Sequence, residues 1–245
     1  MQHVNILKKW QTIFNLCYDI VGDNMFEEAL NILKEIESKG FKAYIIGGYV
    51  RDFILGLQTS DIDITTSATP DVIKEMYEVV MDNSKFGSLR IKKNNYTFEI
   101  TTFRCDKYDD TRYPIVEFTD SLPLDLKRRD FTMNTICMDY NKQIIDLMNG
   151  VDDINHKVIK SIGNADIKLK EDPLRILRAI RFMGYLDFTL DDSLEKAIND
   201  NKELLLSLSN KRVNSEISKM NKKSLLIVKQ MGLNRYIKEE LWRIK

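Results

Sequence analysis

The sequence predicts an α/β first part, to about residue 155, followed by an all-α second part. Two observations carry this. Short apolar and alternating runs bounded by Gly, Pro and Asp recur up to that point and then stop. Apolar residues spaced three and four apart continue to the end of the chain. The composition agrees with a folded chain able to bury a sizeable core: 245 residues, 43% hydrophobic and 30% charged.

Taken in order, residues 4–20 and 25–39 both have helical spacing, with Gly22 and Asp23 between them. Gly40 suits the position just past a helix end. "AYIIGG" is a strand running into a double glycine, "YVRDFILG" a short helix, and "DIDITT" a second strand. "SATPDVIKEMYEVV" opens with Ser, Thr and Pro cap signals and continues as an amphipathic helix. "SLRIKK", "YTFEITTFR" and "PIVEF" alternate as strands, and the polar "RCDKYDDTRYP" reads as a mobile loop closed by Pro114. "DFTMNTICMDY" begins helically, and "QIIDLMNG" carries a strand into a turn. There is no repeat and no low-complexity tract.

Lys plus Arg equals Asp plus Glu, 37 each, so a nucleic-acid partner would have to be met by a local basic face. Cys17, Cys105 and Cys137 form no C-x-x-C pair, which argues against a disulfide framework or zinc site and for a reducing compartment. No apolar run approaches the ~20 residues of a membrane span. The start, "MQHVNILKKWQTIFNL", carries charges in its apolar part and no small-residue cleavage site, unlike a signal peptide. The expectation is a soluble, cytoplasmic protein. His3 and His156 have no ligand spacing and read as surface residues.

Asp61-Ile62-Asp63 stands at the start of a strand-like run. Residues i and i+2 of a strand share a face, so both carboxylates point one way while Ile62 and Ile64 point to the core. Two adjacent acids repel unless a cation lies between them, and hard oxygen ligands suit Mg²⁺. Ser60 and Asp61 are also common turn residues, so the pair alone leaves both readings open.

"IIGGYVRD" adds an apolar strand, Gly47 and Gly48, and a helix start. Backbone N–H groups there suit phosphate, glycine permits close approach, and Arg51 in the first turn reaches the same region. A tight strand-to-helix turn explains the glycines equally. G-x-G-x-x-G and G-K-[ST] are both absent, which excludes a dehydrogenase fingerprint and a Walker loop. Together, Gly47-Gly48, Arg51-Asp52 and Asp61/Asp63 make a phosphate cradle beside a metal pair, a layout suited to nucleotidyl transfer.

"GGYVRDFILGLQTSDIDITTSATP", "LKRRDFTMNTI" and "EDPLRILRAIRF" resemble the motifs of the class II tRNA nucleotidyltransferases. These are the bacterial and eukaryotic CCA-adding enzymes, whose head is shared with bacterial poly(A) polymerases. The resemblance runs in order from about residue 25 to about residue 235. It implies a polymerase-β-like nucleotidyltransferase head, a mixed five-stranded sheet with helices, followed by a helical neck. The expected division is an N-terminal helical extension over 1–24, atypical of the family, then the catalytic head over 25–155, and neck with the start of a body over 156–245.

In that family the stretch aligned with Glu171–Arg175 selects the nucleotide. The chemistry agrees. Cytosine and adenine each present an amino donor beside a ring-nitrogen acceptor, which a carboxylate (Asp172) and a guanidinium (Arg175) would match. Guanine and uracil present the reverse, and each mismatched buried group costs about 1–3 kcal/mol. Arg178 and Arg181 continue a row three residues apart on one helix side, as triphosphate contacts or supports. On pattern alone, Asp172-Pro173 also reads as a helix cap, and the arginine row as a solvated face.

The resemblance further implies that Arg129 contacts the nucleotide and Asn134 lies near its sugar. Arg128 and Arg129 read alternatively as an exposed basic pair, and Glu99 as a third metal-side carboxylate or a strand residue facing water. Residues 104–122 match the family's flexible loop in length, with "RYP" at Arg112–Pro114 where "RRP" is usual. Lys211-Arg212 replaces the usual Glu-Arg of a later helical motif. Members usually continue for well over a hundred residues further, so a short form is expected, lacking most of body and tail and binding tRNA weakly and salt-sensitively.

The reading is template-independent addition of C and A from CTP and ATP to the tRNA 3′ end, with Mg²⁺ as cofactor and pyrophosphate as product. A poly(A) polymerase and a non-catalytic nucleotide- or RNA-binding relic compete with it.

Overall fold

The computed structural model describes residues 23–59, 61–108, 115–238 and 240. The expected helix over residues 4–20, with His3 and Cys17, and also Ser60 and Arg112–Pro114, lie outside the described residues. The chain divides into two compact units: residues up to Arg129 with Asn134–Gly150, and Asp130–Met133 with Val151 onward.

The first unit opens with α1 (Asp23–Ser38), whose Phe26, Ala29, Leu30, Leu33 and Ile36 recur at helical spacing and are all buried. Gly40, at φ 87°, ends it, with its N–H on Glu37 O at 2.9 Å. Then follow β1 (Ala43–Ile46), α2 (Gly48–Leu55), β2 (Asp63–Thr66), α3 (Pro70–Met76), β3 (Glu78–Asn83), β4 (Ser88–Lys93) and β5 (Tyr96–Thr102). A hairpin of β6 (Arg104–Lys107) and β7 (Ile115–Phe118) leads to α4 (Leu122–Lys127), β8 (Cys137–Met138) and β9 (Ile144–Ile145).

The sheet runs β3-β4-β5-β2-β1-β8-β9. It is mixed, as expected, because β2 and β5 pair in parallel and the other neighbours antiparallel. It has seven strands rather than five. One of the additions is β3, where the sequence suggests that the helix from Ser67 continues. The helix instead stops at Met76, Tyr77 is extended (φ −139°, ψ 153°), and Glu78–Asn83 pairs with β4. The β-branched Val79-Val80 favours a strand, and Tyr77 is fixed outside the helix by donating to Glu35 at 2.8 Å. The polar stretch after Phe103 also differs from a plain loop, since Arg104–Lys107 pairs with Ile115–Phe118. Four residues without apolar alternation reveal themselves as a strand only through their partner.

The second unit contains α5 (Gly150–Asn155) from Val151 onward, β10 (Val158–Ile159), α6 (Ala165–Glu171), α7 (Leu174–Leu186), β11 (Thr189–Leu190), α8 (Asp192–Asp200), α9 (Asn210–Ile217) and α10 (Lys222–Gln230). It is helical as expected, except for the two-residue parallel pair β10–β11, too short to leave a periodic signal. Within it, α7 buries Ile176, Leu177, Ala179, Ile180 and Phe182. At Gly184 it meets α10 so closely that a Cβ would lie 2.4 Å from Ser224 N and 2.7 Å from its Cα.

Candidate functional site

In the first unit, β2 begins at Asp63, and Asp61 precedes the strand rather than lying in it. The expected alternation still holds: Ile62 and Ile64 are each 1% exposed, Asp61 is exposed and Asp63 half-buried. Glu99 is the register partner of Asp63 across the parallel β2–β5 pair, so parallel pairing sets it beside Asp63 on the neighbouring strand. Glu99 accepts from Ser88 Oγ at 2.8 Å and lies 3.8 Å from Arg90.

Burial, then the charges of Asp61 and Glu99, push the Asp63 carboxyl up to about 7, against the opposing pull of Arg129 and Arg90. Burial first, and the acidic neighbours second, thus disfavour the Asp63 carboxylate, and a cation beside it would stabilise that form. Among the described residues no three His, Cys, Asp or Glu side chains converge into a group that could hold a metal ion. Two carboxylates fit a divalent ion that completes its shell from water and phosphate oxygens.

Register also places the glycine turn, because Ile46, the last residue of β1, is opposite Asp63. Gly47 follows at φ 80° and ψ −130°, a backbone region essentially restricted to glycine, and starts α2. Arg51 is 4% exposed. Its guanidinium contacts Asp52 at 2.7 Å and donates to Asn134 Oδ1 at 2.6 Å. Arg51 and Asp52, neighbours in sequence, thus form one buried polar cluster with Asn134, 83 residues away.

Arg128 and Arg129 are not an exposed basic pair. Both clasp Asp125, which is fully buried, at 2.8 and 3.0 Å. Thr65 Oγ1 and the Arg104 N–H also approach this carboxylate, each at 3.3 Å. Burial alone would raise the Asp125 pKa, but Arg129 and Arg128 outweigh it and hold the carboxyl below the usual range. Arg129 and Arg128 share the lining of a cavity of about 520 Å³ with Asp63 and Glu99.

In the second unit, Asp172 accepts from Arg212 Nη2 at 2.8 and 3.0 Å and from the Leu174 N–H at 3.1 Å. The cap reading is corrected in its position: Pro173 is the N-cap of α7 and Asp172 ends α6, its side chain taking the Leu174 N–H while an arginine holds the carboxylate. Arg175 is buried, its Nη1 on Glu171 Oε2 at 2.9 Å and Lys168 O at 2.8 Å. Arg178 donates to Asp130 at 2.5 and 2.8 Å, and Arg181 donates to Glu216 at 2.8 Å while stacking on the Phe182 ring at 4.2 Å. The arginine row faces a row of acids rather than solvent.

Sequence reasoning missed Asp125, Arg212 and Glu216 as partners. Asp125 was findable, lying three and four residues before the arginines it holds, the spacing of helical ion pairs. Glu216 lies 35 residues from Arg181, and no local pattern links them.

Residues 43–160 match the family model described as the poly(A) polymerase head domain. The chain is 42% identical over 200 residues to a CCA-adding enzyme of Lactobacillus helveticus, covering 80% of this chain and 50% of that protein. It thus spans about half the length of the curated relatives it matches. A crystal structure of the Bacillus stearothermophilus CCA-adding enzyme in complex with CTP superposes with a TM-score of 0.81 at 37% identity, covering 86% of this chain and 53% of that one. A tRNA nucleotidyltransferase complexed with a primer tRNA and an incoming ATP analog is similar at a TM-score of 0.70 and 29% identity, covering 84% and 62%.

Proposed function

We propose that the chain, whose residues 43–160 match the poly(A) polymerase head domain, is a nucleotidyltransferase of the CCA-adding type that adds C and A from CTP and ATP to the 3′ end of tRNA. The observation that carries this is the pairing of Asp63 with Glu99, beside Asp61 and the Gly47 turn, on a cavity shared with Arg129.

In the proposed mechanism the acceptor's ribose 3′-oxygen attacks the α-phosphorus of the bound nucleotide. A new P–O bond forms, the α–β bridging bond breaks, and pyrophosphate leaves with its electron pair. Glu99 takes the hydroxyl proton, which passes on to water. The Gly47 N–H donates to Ile136 O at 3.3 Å, so cradling phosphate oxygens falls to the Gly48 N–H at the start of α2, braced by the Arg51–Asp52–Asn134 cluster. Arg129, fixed by Asp125, supplies a guanidinium to the same charge. Asp61 and Asp63 would hold Mg²⁺, which when bound would lower the hydroxyl's pKa and stabilise charge on the phosphate.

In the neck, Asp172 accepts from the exocyclic amino group of C or A, and Arg175 donates to the adjacent ring nitrogen. The Arg212 pair holds Asp172 in one orientation, so little entropy is lost on reading the base. Arg178 and Arg181 serve as supports of this helix. The head over residues 25–155 does the chemistry, and the neck over 156–245 selects the nucleotide and binds RNA. Among the described residues no helix is long and apolar enough to cross a membrane, and the proposed site of action is the cytoplasm.

The test is extension of tRNAs ending before CCA, after C and after CC, with each nucleotide in turn and Mg²⁺. Two C additions, one A and a stop are expected, with CTP and ATP bound over GTP and UTP and the preference lost in Asp172→Ala. Runs of A on any RNA would replace this reading with a poly(A) polymerase. Binding without base preference would reduce the chain to a phosphate-binding relic.

A further inference from the structure

We propose that Ser88, helped by Arg90, is a positioning residue for Glu99: it draws that carboxylate to the β4 side of the sheet and keeps it a proton acceptor rather than a third ligand of a cation held at Asp61 and Asp63. This rests on the nucleotidyltransferase reading. It assigns a task to two β4 side chains that the proposed mechanism leaves without one, and it separates the two roles that a carboxylate at position 99 could take.

Strand register sets the stage. Asp63 on β2 stands opposite Glu99 on β5, and Glu99 stands opposite Arg90 on β4. Directly opposed residues share a face, so the three side chains form one row across three strands. Glu99 therefore has a carboxylate on one side and a guanidinium on the other. Ser88, at i−2 of Arg90, shares that face and lies diagonal to Glu99. Like charge repels Glu99 from Asp63, while everything attractive in its row lies toward β4.

Both oxygens of Glu99 are engaged from that side. The Ser88 hydroxyl donates to Oε1 at 2.8 Å, and Arg90 Nη2 lies 3.8 Å from Oε2. Arg90 is half-exposed, so water screens its pull, and the serine bond is the directional one. A carboxylate oxygen that accepts from a hydroxyl keeps a further lone pair for a proton, but its direction is fixed by the donor. Ser88, Asp63 and Glu99 share the wall of the cavity of about 520 Å³, where that lone pair meets an incoming hydroxyl. Although register sets Glu99 beside Asp63, no three-carboxylate group forms with Asp61 among the described residues.

The backbone that presents Ser88 is well held. Gly87 stands just before it at φ 74°, its carbonyl accepts from the Thr102 N–H at 2.8 Å, and Ser88 itself pairs with Thr101. There is no slack around the glycine, since a Cβ there would lie 2.8 Å from the Phe118 ring. The hydroxyl is thus offered from a fixed strand start, as a group that orients another must be.

The experiment uses the full chain with Ser88→Ala, Ser88→Thr and Glu99→Ala, and with Ser88→Ala repeated in the Glu99→Ala background. Two quantities are read: Mn²⁺ binding without nucleotide or RNA, from the EPR signal of the free ion, and single-turnover addition of C to a tRNA ending before CCA. Ser88→Ala should bind Mn²⁺ several-fold more tightly, because the released carboxylate can turn to the ion beside Asp63. Its rate of C addition should fall about tenfold, the scale of one hydrogen bond to a charged group, with CTP affinity unchanged. Ser88→Thr keeps the hydroxyl and should stay within about twofold of wild type in both readouts. In the Glu99→Ala background, Ser88→Ala should change neither, since it acts only through Glu99. Mn²⁺ affinity that falls or holds steady in Ser88→Ala overturns the proposal. An equal loss of rate in both backgrounds overturns it too, as the mark of a serine that only supports the strand. The Mn²⁺ titration needs no catalysis, so it decides the proposal even for a chain that extends no tRNA. Failure of wild type to extend tRNA and to bind CTP and ATP over GTP and UTP sinks the nucleotidyltransferase reading instead.

Discussion

Asp125→Asn removes the charge at the centre of the head's arginine cluster while nearly preserving its shape. Asp125 is fully buried and lies 2.8 Å from Arg128 and 3.0 Å from Arg129. At 3 Å and an effective dielectric of about 20, each pair is worth roughly 5 kcal/mol of Coulomb attraction, against a desolvation cost of similar order. The asparagine amide would also present N–H donors to guanidinium donors. Breaking a buried pair by removing one partner costs about 3–5 kcal/mol. For a chain of this size a kilocalorie moves the midpoint by about 2–4 °C, so the expected fall in Tm is about 6–20 °C. Differential scanning calorimetry at pH 7 measures it. The sign with pH is fixed as well. The folded carboxyl sits below its unfolded value of about 3.9, so its contribution is complete above that pH and is lost as pH falls through the folded value. Wild type and variant should therefore converge in acid. A Tm within 2 °C of wild type at pH 7, or a gap that widens in acid, would refute the argument that Asp125 is what allows two buried arginines to stand together.

Asp63→Asn should abolish Mg²⁺-dependent extension yet stabilise the metal-free chain at pH 8. The folded Asp63 carboxyl is raised to about 7, so wild type bears a buried charge above that pH and sheds it by protonation toward pH 4. Melting in chelator across that range should show the variant's advantage shrinking as pH falls; a constant advantage would contradict the assigned cause. Gly184→Ala places a Cβ 2.1 Å from Ser224 Oγ and 2.4 Å from its backbone N, for an expected loss of about 1–3 kcal/mol or more in urea unfolding. Adding Ser224→Ala should not restore stability, because the backbone clash persists; full rescue would show that only the hydroxyl mattered. Gly47→Ala forces a side chain into φ 80°, ψ −130°, at a cost of about 1–3 kcal/mol. CTP affinity should fall several-fold in direct titration, and unchanged affinity would remove the turn from the phosphate site.

Local chemistry was enough to locate much of this protein in its sequence. The α1 stripe from Phe26 to Ile36, the strand into Gly47-Gly48, and Asp61-Ile62-Asp63 all carry their signal within a few residues, where side-chain period and glycine freedom act. The order of those motifs was enough to indicate a nucleotidyltransferase head and a helical neck. What local pattern could not supply is who stands opposite whom. Glu99 joins Asp63 only because β5 pairs in parallel with β2 in that register, and a slip of one residue would turn it to the other face. The strand at Glu78–Asn83 exists because β4 offers it a partner. Arg51 reaches Asn134, and Arg212 reaches Asp172, across 83 and 40 residues of chain. Charges in a folded interior choose partners by distance and burial rather than by sequence order. An arginine row that looks solvent-facing by spacing became, once folded, a line of paired and largely buried groups.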